Sequence, residues 1–458
     1  MKKIAKCMAA ACAAAAAAFV SLFAGCTSAT YGRDGQDVSI YEIYEATNAA
    51  RVEEGLPELS FLDFIGEYLG YTGSEVEEIT SLKAAINRSL LSSVSILSTF
   101  RAQGDPPSLA YEDETYAGAG VIIDVDKEAG DMYVVTNAHV VYLSDGQGDG
   151  FCDNIELYLY GSEYSVTYEN GQAYMTGGNP ISAQIIGASL TYDIAVLKVE
   201  GSDVVKNSLA VAATWTSEEN ISVGETVYAI GNPEGECLSA TTGVVSRESE
   251  EISIDMYDTT YDTSDDFTYR VMRTDAAING GNSGGGLFNS SGEVVGIVNA
   301  KSSGSAVDNM GYAIPAAVAR RVAQNMIAAY EETGQEAHYI SRAVLGITVQ
   351  ASDSTAVVDN DTNLVSVEEL ITVRSVNSDS VARGTLEEGD MLTNISLTSA
   401  DGKVKEDVEI TRLYTVTDVL LAAVSGDSVT LTVNRAGEDE PLTFTYTLTS
   451  SNFTITTD

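Results

Sequence analysis

Between residues 279 and 286 the chain reads Asn-Gly-Gly-Asn-Ser-Gly-Gly-Gly, with five glycines in eight positions. A run of this kind cannot propagate a helix or a regular strand, because glycine loses more conformational freedom on ordering than any other residue. It does allow a tight turn that points several backbone N–H groups at one spot around Ser283. The flanking sequence is strand-like. Segments 90–100, 120–125, 132–136, 155–160, 194–199, 226–230 and 294–299 are rich in β-formers and punctuated by glycine and polar clusters. That pattern predicts a mainly β chain, built as barrels or sandwiches.

At 458 residues the chain is long enough for about three domains. Sixty-seven acidic residues against 24 basic ones give a net charge of −43. So acidic a surface repels phosphate, which argues against a nucleic-acid partner and leaves solubility, cation contact or the steering of a basic substrate as its use. The first 25 residues form an export signal: Lys2, Lys3 and Lys6 precede an Ala-rich apolar run that ends in small residues before Cys26. Leu22-Phe23-Ala24-Gly25-Cys26 is similar to a bacterial lipoprotein cleavage box, with Phe23 where leucine is usual. Cys26 is therefore the expected lipidation site, anchoring the chain to the outer face of the cytoplasmic membrane in a bacterial cell envelope. Ordinary signal cleavage and an uncleaved anchor are the alternatives. Once the signal is removed, Cys152 and Cys237 are the free thiols, either paired or separate.

Residues 26–87 read as a tether and a short helical segment, with capping boxes opening at Ser39, Ser60 and Ser74. Two β-rich units follow, at 88–205 and 206–334. The second closes with a helix starting at Pro315, carrying Val318, Val322 and Met326 four apart and stopping at Gly334. A further β-rich unit spans 341–450, with a helical signal near 417–423. Seven acids and no base fill 249–266, expected as an extended loop or hairpin.

Three segments carry chemistry-bearing residues. His139, one of only two histidines, ends a strand in Val-Val-Thr-Asn-Ala-His-Val. Asp193 directly precedes the apolar strand at 194–199, where a carboxylate can be desolvated and orient an imidazole. Ser283 sits in the glycine run. Each feature alone has an ordinary structural explanation. Together they follow the order His, Asp, Ser, which belongs to the chymotrypsin arrangement among triad folds. On these motifs the chain resembles an HtrA/Deg-type trypsin-like serine protease over roughly residues 88–450.

That resemblance implies a chymotrypsin-like double β-barrel followed by a PDZ-like β domain. It implies a serine endopeptidase for misfolded or exported polypeptides, with His139, Asp193 and Ser283 catalytic and the backbone N–H groups of Gly281 and Ser283 as oxyanion hole. No cofactor is implied, and trimers are usual in the family. Asn282 stands where digestive enzymes carry an activating Asp, so activation by N-terminal trimming is not expected. Ala277, six residues before the serine, and Ile278 mark the specificity pocket, whose lack of an acid favours small or medium apolar residues before the scissile bond. Leu345-Gly346-Ile347 is similar to the PDZ loop that captures a peptide C-terminus. The alternative function is a chaperone or peptide-binding scaffold with a vestigial protease site. Outside the family pattern, Asp145, Asp149, Asp153 and Glu156 fall at positions 1, 5, 9 and 12 of a near-match to a calcium loop, with Gly150 at position 6. The other reading of that stretch is an acidic surface loop.

Overall fold

The computed structural model describes residues 47–49, 51–52, 82–103, 111–143, 150–169, 172–216, 221–256, 265–299, 310–336, 339–358 and 364–457. The chain divides into two compact units after Asn87. In the first, 47–49 and 51–52 are helical and a helix opens at Leu82. The capping boxes at Ser39, Ser60 and Ser74 lie outside the described residues, as do Cys26, Asp145 and Asp149. Among the described residues no helix is long and apolar enough to cross a membrane.

In the second unit, β1 (Ser93–Gln103), β2 (Tyr111–Asp126), β3 (Asp131–Thr136) and β4 (Asn154–Leu159) precede a small hairpin, β5 (Ser165–Glu169) and β6 (Gln172–Thr176). Then come β7 (Ile181–Ser182), β8 (Gln184–Ser189) and β9 (Ile194–Val199). The sheet order is β7-β4-β1-β2-β3-β9-β8. Its two terminal strands are separated in the chain only by Ala183, so one bent stretch joins both edges and closes the sheet into a barrel. Val94, Ile96, Ile122, Val134, Leu157 and Leu197 fill the interior and are fully buried. Each contributes about 1.5–3 kcal/mol by leaving water.

The second sheet contains β10 (Thr214–Trp215), β11 (Thr226–Gly231), β12 (Ser239–Met256), β13 (Asp265–Thr274), β14 (Gly286–Asn289), β15 (Glu293–Asn299) and β16 (Gly311–Pro315). Because β15 pairs with both β14 and β16, six of these strands form a ring, to which β10 adds in parallel. Of the acidic 249–266 stretch, 249–256 lie in β12 and 265–266 in β13, which pair antiparallel as expected of a hairpin; 257–264 lie outside the described residues. Tyr228 stacks on Phe288 with centroids 5.4 Å apart, and its hydroxyl bonds Ser89 Oγ at 2.9 Å. The helix Ala316–Thr333 follows Pro315 directly, buries Val318, Val322 and Met326, and ends where Gly334 turns left-handed at φ 65°.

The C-terminal part pairs β17 (Tyr339–Ala343) with β24 (Phe453–Thr457), so it extends beyond residue 450. Its main sheet runs β18 (Ile347–Val358), β19 (Val365–Val376), β20 (Met391–Thr398), β22 (Ser428–Asn434) and β23 (Leu442–Thr447), with β21 (Val404–Glu409) on β20. A short helix, Thr415–Leu420, buries Val416 and Val419 against this sheet's apolar face. The strand β18 lies at the sheet edge.

Candidate active site

Strand pairing does most of the work of bringing His139 to Asp193. The β3–β9 register places Thr136 opposite Ala195, so the turn after Thr136 and the residue before Ile194 emerge side by side. His139 lies in the single helical turn Ala138–Val141. Asp193 adopts φ 49°, a left-handed conformation that costs a non-glycine residue about 1–3 kcal/mol and persists only where its surroundings enforce it. Here Asn137 Nδ2 donates to the Asp193 carbonyl at 2.8 Å. The His139 backbone N–H donates to Asp193 Oδ1 at 3.0 Å. The ring Nδ1 stands 3.0 Å from Oδ1 and 2.8 Å from Oδ2.

An ionised carboxylate only accepts, so Nδ1 carries the proton and Nε2 is left as the basic nitrogen. The Asp193 side chain is 6% exposed and that of His139 30%. Burial pulls the imidazolium pKa down, but the Asp193 charge and hydrogen bond outweigh it and hold His139 above its ordinary value.

Ser283 reaches this place from the other barrel. Its carbonyl accepts from Ala119 N–H at 2.9 Å, Gly284 N–H donates to the Val298 carbonyl at 2.9 Å, and Val298 N–H returns to Gly285 at 2.7 Å. Gly284, at φ 82°, is wedged against the β3 exit. A Cβ there would lie 2.1 Å from Thr136 Oγ1, 2.3 Å from the Ala119 carbonyl and 3.0 Å from Asn137 N. The glycine lets the Ser283 backbone approach the His139 turn this closely. Gly284→Ala therefore pushes the two barrels apart at the site and is expected to destabilise the fold by about 1–3 kcal/mol. Thermal unfolding alongside a cleavage assay checks this, activity falling further than stability explains.

The Ser283 hydroxyl is not hydrogen-bonded to His139 in this structure. Unliganded sites often show such loose contacts, which tighten with substrate. Among the described residues, neither Gly281 N–H nor Ser283 N–H has a hydrogen-bond acceptor. Gly281 turns at φ 91°, held by Asn232 N–H to its carbonyl at 3.1 Å. Asn282 Nδ2 reaches the Ala277 carbonyl at 3.4 Å, while Asn282 Oδ1 is buried without a partner. Ala277 is exposed, its carbonyl also accepting from Thr241 Oγ1 at 2.9 Å. Ile278 packs into the core of the second barrel with Met272, Val298 and Ala313.

Sequence reading missed two residues that complete the Asp193 environment. Asn299 Nδ2 donates to Asp193 Oδ2 at 2.6 Å and to Tyr269 Oη at 2.6 Å. A polar residue closing the apolar run 294–298 of β15 was the one available hint for Asn299. Nothing local marks Tyr269.

The remaining expectations fall elsewhere. Asp153 Oδ2 accepts from Arg101 N–H at 3.0 Å and Glu156 Oε2 from Tyr158 Oη at 2.8 Å, with Glu156 inside strand β4 rather than on a helix. Among the described residues no cluster of three or more His, Cys, Asp or Glu side chains has metal-binding geometry. Cys152 and Cys237 form no disulfide, and burial pushes the Cys152 thiol up to about 12.

Leu345, Gly346 and Ile347 line a cavity of about 410 Å³ between the start of β18 and the helix Thr415–Leu420, with Val349, Val416 and Leu420 opposite or alongside. Gly346 turns at φ 70°, and a Cβ on it would meet Ser380 Cα at 2.8 Å. Ser380 Oγ donates to the Leu345 carbonyl at 2.6 Å, fixing the loop. The helix that walls this groove also touches the second barrel. Asp418 pairs with Arg270 of β13, and Arg412, just before the helix, pairs with Glu248 of β12. The Arg270 guanidinium lies 3.8 Å from the Tyr414 ring centroid.

A family model described as "Trypsin-like peptidase domain" matches residues 118–297. A Lactobacillus helveticus protein named "Serine protease Do-like HtrA" is 29% identical over 333 residues, covering 71% of this chain and 67% of the relative. A Bacillus subtilis protein of the same name is 32% identical over 252 residues, 54% of this chain and 45% of its own length. Among solved structures, a serine endoprotease from Yersinia pestis aligns over 81% of this chain and 97% of its own at 22% identity and a TM-score of 0.40. The chain thus carries a trypsin-like peptidase domain and is a serine-type endopeptidase similar to the serine proteases named HtrA.

Proposed function

We propose that His139, Asp193 and Ser283 act as a catalytic triad that hydrolyses peptide bonds in misfolded or exported polypeptides through an acyl-enzyme. The observation that carries this reading is the Nδ1-to-carboxylate contact between His139 and Asp193, in a pocket against which the Ser283 backbone is clamped. Nε2 takes the Ser283 proton as Oγ attacks the scissile carbonyl. The resulting oxyanion meets the unpartnered N–H groups of Gly281 and Ser283, each worth about 3 kcal/mol in such sites. The tetrahedral intermediate collapses, the C–N bond breaks, and the imidazolium gives its proton to the leaving amine. Water, deprotonated by the same nitrogen, then releases the acid and regenerates Ser283.

His139 must be neutral to act as base, and its imidazolium pKa is raised above 6.5. The sign is therefore fixed. Turnover falls as pH drops through a midpoint above the free-imidazole value, and a kcat/KM profile whose acid limb lies below 6.5 contradicts the pairing. The same shift stabilises the fold below the unfolded pKa and is lost as pH rises through the folded one.

The groove at Leu345–Ile347 suits an extended peptide added to the β18 edge, its terminal carboxylate in the loop and an apolar side chain in the cavity. The Asp418–Arg270 and Arg412–Glu248 pairs give occupancy of that groove a route to the β12–β13 hairpin. Cys26 supplies a lipid tether on the outer face of the cytoplasmic membrane. Cleavage of an unfolded and a folded substrate protein, each with and without an apolar C-terminal peptide, tests this reading. The expected result is degradation of the unfolded substrate, accelerated by the peptide. Capture of the unfolded substrate without cleavage, peptide or not, points instead to a chaperone scaffold.

A further inference from the structure

We propose that Asn299, braced by Tyr269, is a positioning residue that fixes the Asp193 carboxylate against His139. The inference rests on the triad reading above and adds to it. An Asn side chain offers two N–H donors, and both are used here: one goes to Asp193 Oδ2 at 2.6 Å, the other to Tyr269 Oη at 2.6 Å. The amide cannot rotate without breaking both. Its flipped state would place Oδ1 against a carboxylate, acceptor facing acceptor.

The three residues come from separate elements, Asp193 from the loop before β9, Asn299 from the end of β15 and Tyr269 from β13. Asn299 is 1% exposed, Asp193 4% and Tyr269 9%. The bond from Asn299 to Asp193 therefore crosses between the barrels, joining the carboxylate of one to the serine-bearing sheet of the other. Gly284 and Val298, flanking Ser283 and Asn299, are themselves hydrogen-bonded at 2.9 Å. One short stretch of sheet thus sets both the nucleophile and the aspartate. The arrangement has a cost, because Asn299 Oδ1 is buried without a partner, which packing alone would not favour.

Among the described residues, the titratable side chains facing Asp193 are His139 and Tyr269. Burial and the Asp193 charge both raise the Tyr269 pKa, so the phenol stays protonated and neutral beside the carboxylate. Removing the Asn299 donor leaves the carboxylate charge more concentrated on His139 and free to rotate. Two consequences follow: the nucleophile slows, and the imidazolium becomes harder to deprotonate.

The test measures the rate of covalent labelling of the full chain by a fluorophosphonate across pH, for wild type, Asn299→Leu, Asn299→Ser and Tyr269→Phe, with melting temperatures recorded. The expected result is a labelling rate ten- to a hundredfold lower in Asn299→Leu, short of the ~10⁴ lost when tautomer control fails entirely. Its pH midpoint moves upward, and Asn299→Ser, which keeps a donor, recovers part of both. Tyr269→Phe, which should fold because it removes one hydroxyl, shows a smaller change in the same direction. Wild-type rate and midpoint in Asn299→Leu and Tyr269→Phe overturn the proposal, as does equal slowing in Asn299→Leu and Asn299→Ser. If wild type itself is not labelled at any pH, the triad reading fails instead, and this inference with it.

Discussion

Replacing Ser283 with alanine is expected to lower turnover by about 10⁶-fold, the loss seen when the nucleophile of a comparable triad is removed, while the protein melts within a degree or two of wild type. The two halves of that expectation come from different observations. The Ser283 hydroxyl makes no hydrogen bond within the described residues, so deleting it removes no folded-state contact. The segment's position is held by its backbone, through Ala119 N–H to the Ser283 carbonyl and Gly284 N–H to Val298, and alanine keeps both. A purely structural glycine loop would tolerate Ser283→Ala without change in turnover. Steady-state cleavage of an unfolded substrate, compared with a melting curve on the same preparation, separates the two outcomes.

Asp193→Asn is expected to lower kcat by about 10⁴ at neutral pH with little change in KM, because tautomer and charge stabilisation matter in the transition state rather than in substrate binding. An asparagine offers one carbonyl oxygen and one amide nitrogen where His139 Nδ1, His139 N and Asn299 Nδ2 all require acceptors. Either the imidazole turns its unprotonated Nδ1 to the new amide, which leaves a proton on Nε2, or a donor goes unsatisfied. Both disable the base. A loss confined to KM, or a drop below tenfold, contradicts the role given to Asp193.

The strands were legible from sequence because closed barrels bury long β-branched runs, as at 194–199, and glycines interrupt them where the chain turns. The helix after Pro315 was legible for the same kind of reason, since Val318, Val322 and Met326 mark one face and Gly334 ends it. His139 and Asp193 could be singled out because each abuts an apolar strand, and their meeting follows from the β3–β9 register that such strands create. Asn299 and Tyr269 were not legible. Their importance comes from contacts across 106 and 30 positions of chain, and no local periodicity encodes which buried polar residue faces a carboxylate. Ile278 shows the reverse limit. Proximity in sequence to the specificity position marked it as pocket-forming, yet its side chain belongs to the barrel core, while Ala277 beside it is exposed.

The proposed mechanism depends on one imidazole activating one hydroxyl delivered from the other barrel. Peptide mapping of the fluorophosphonate adduct, in wild type and in His139→Ala, tests that dependence most directly. A single adduct on Ser283 is expected in wild type and essentially none in His139→Ala at the same exposure. An adduct on any other residue, or equal modification of Ser283 in both proteins, would contradict that mechanism.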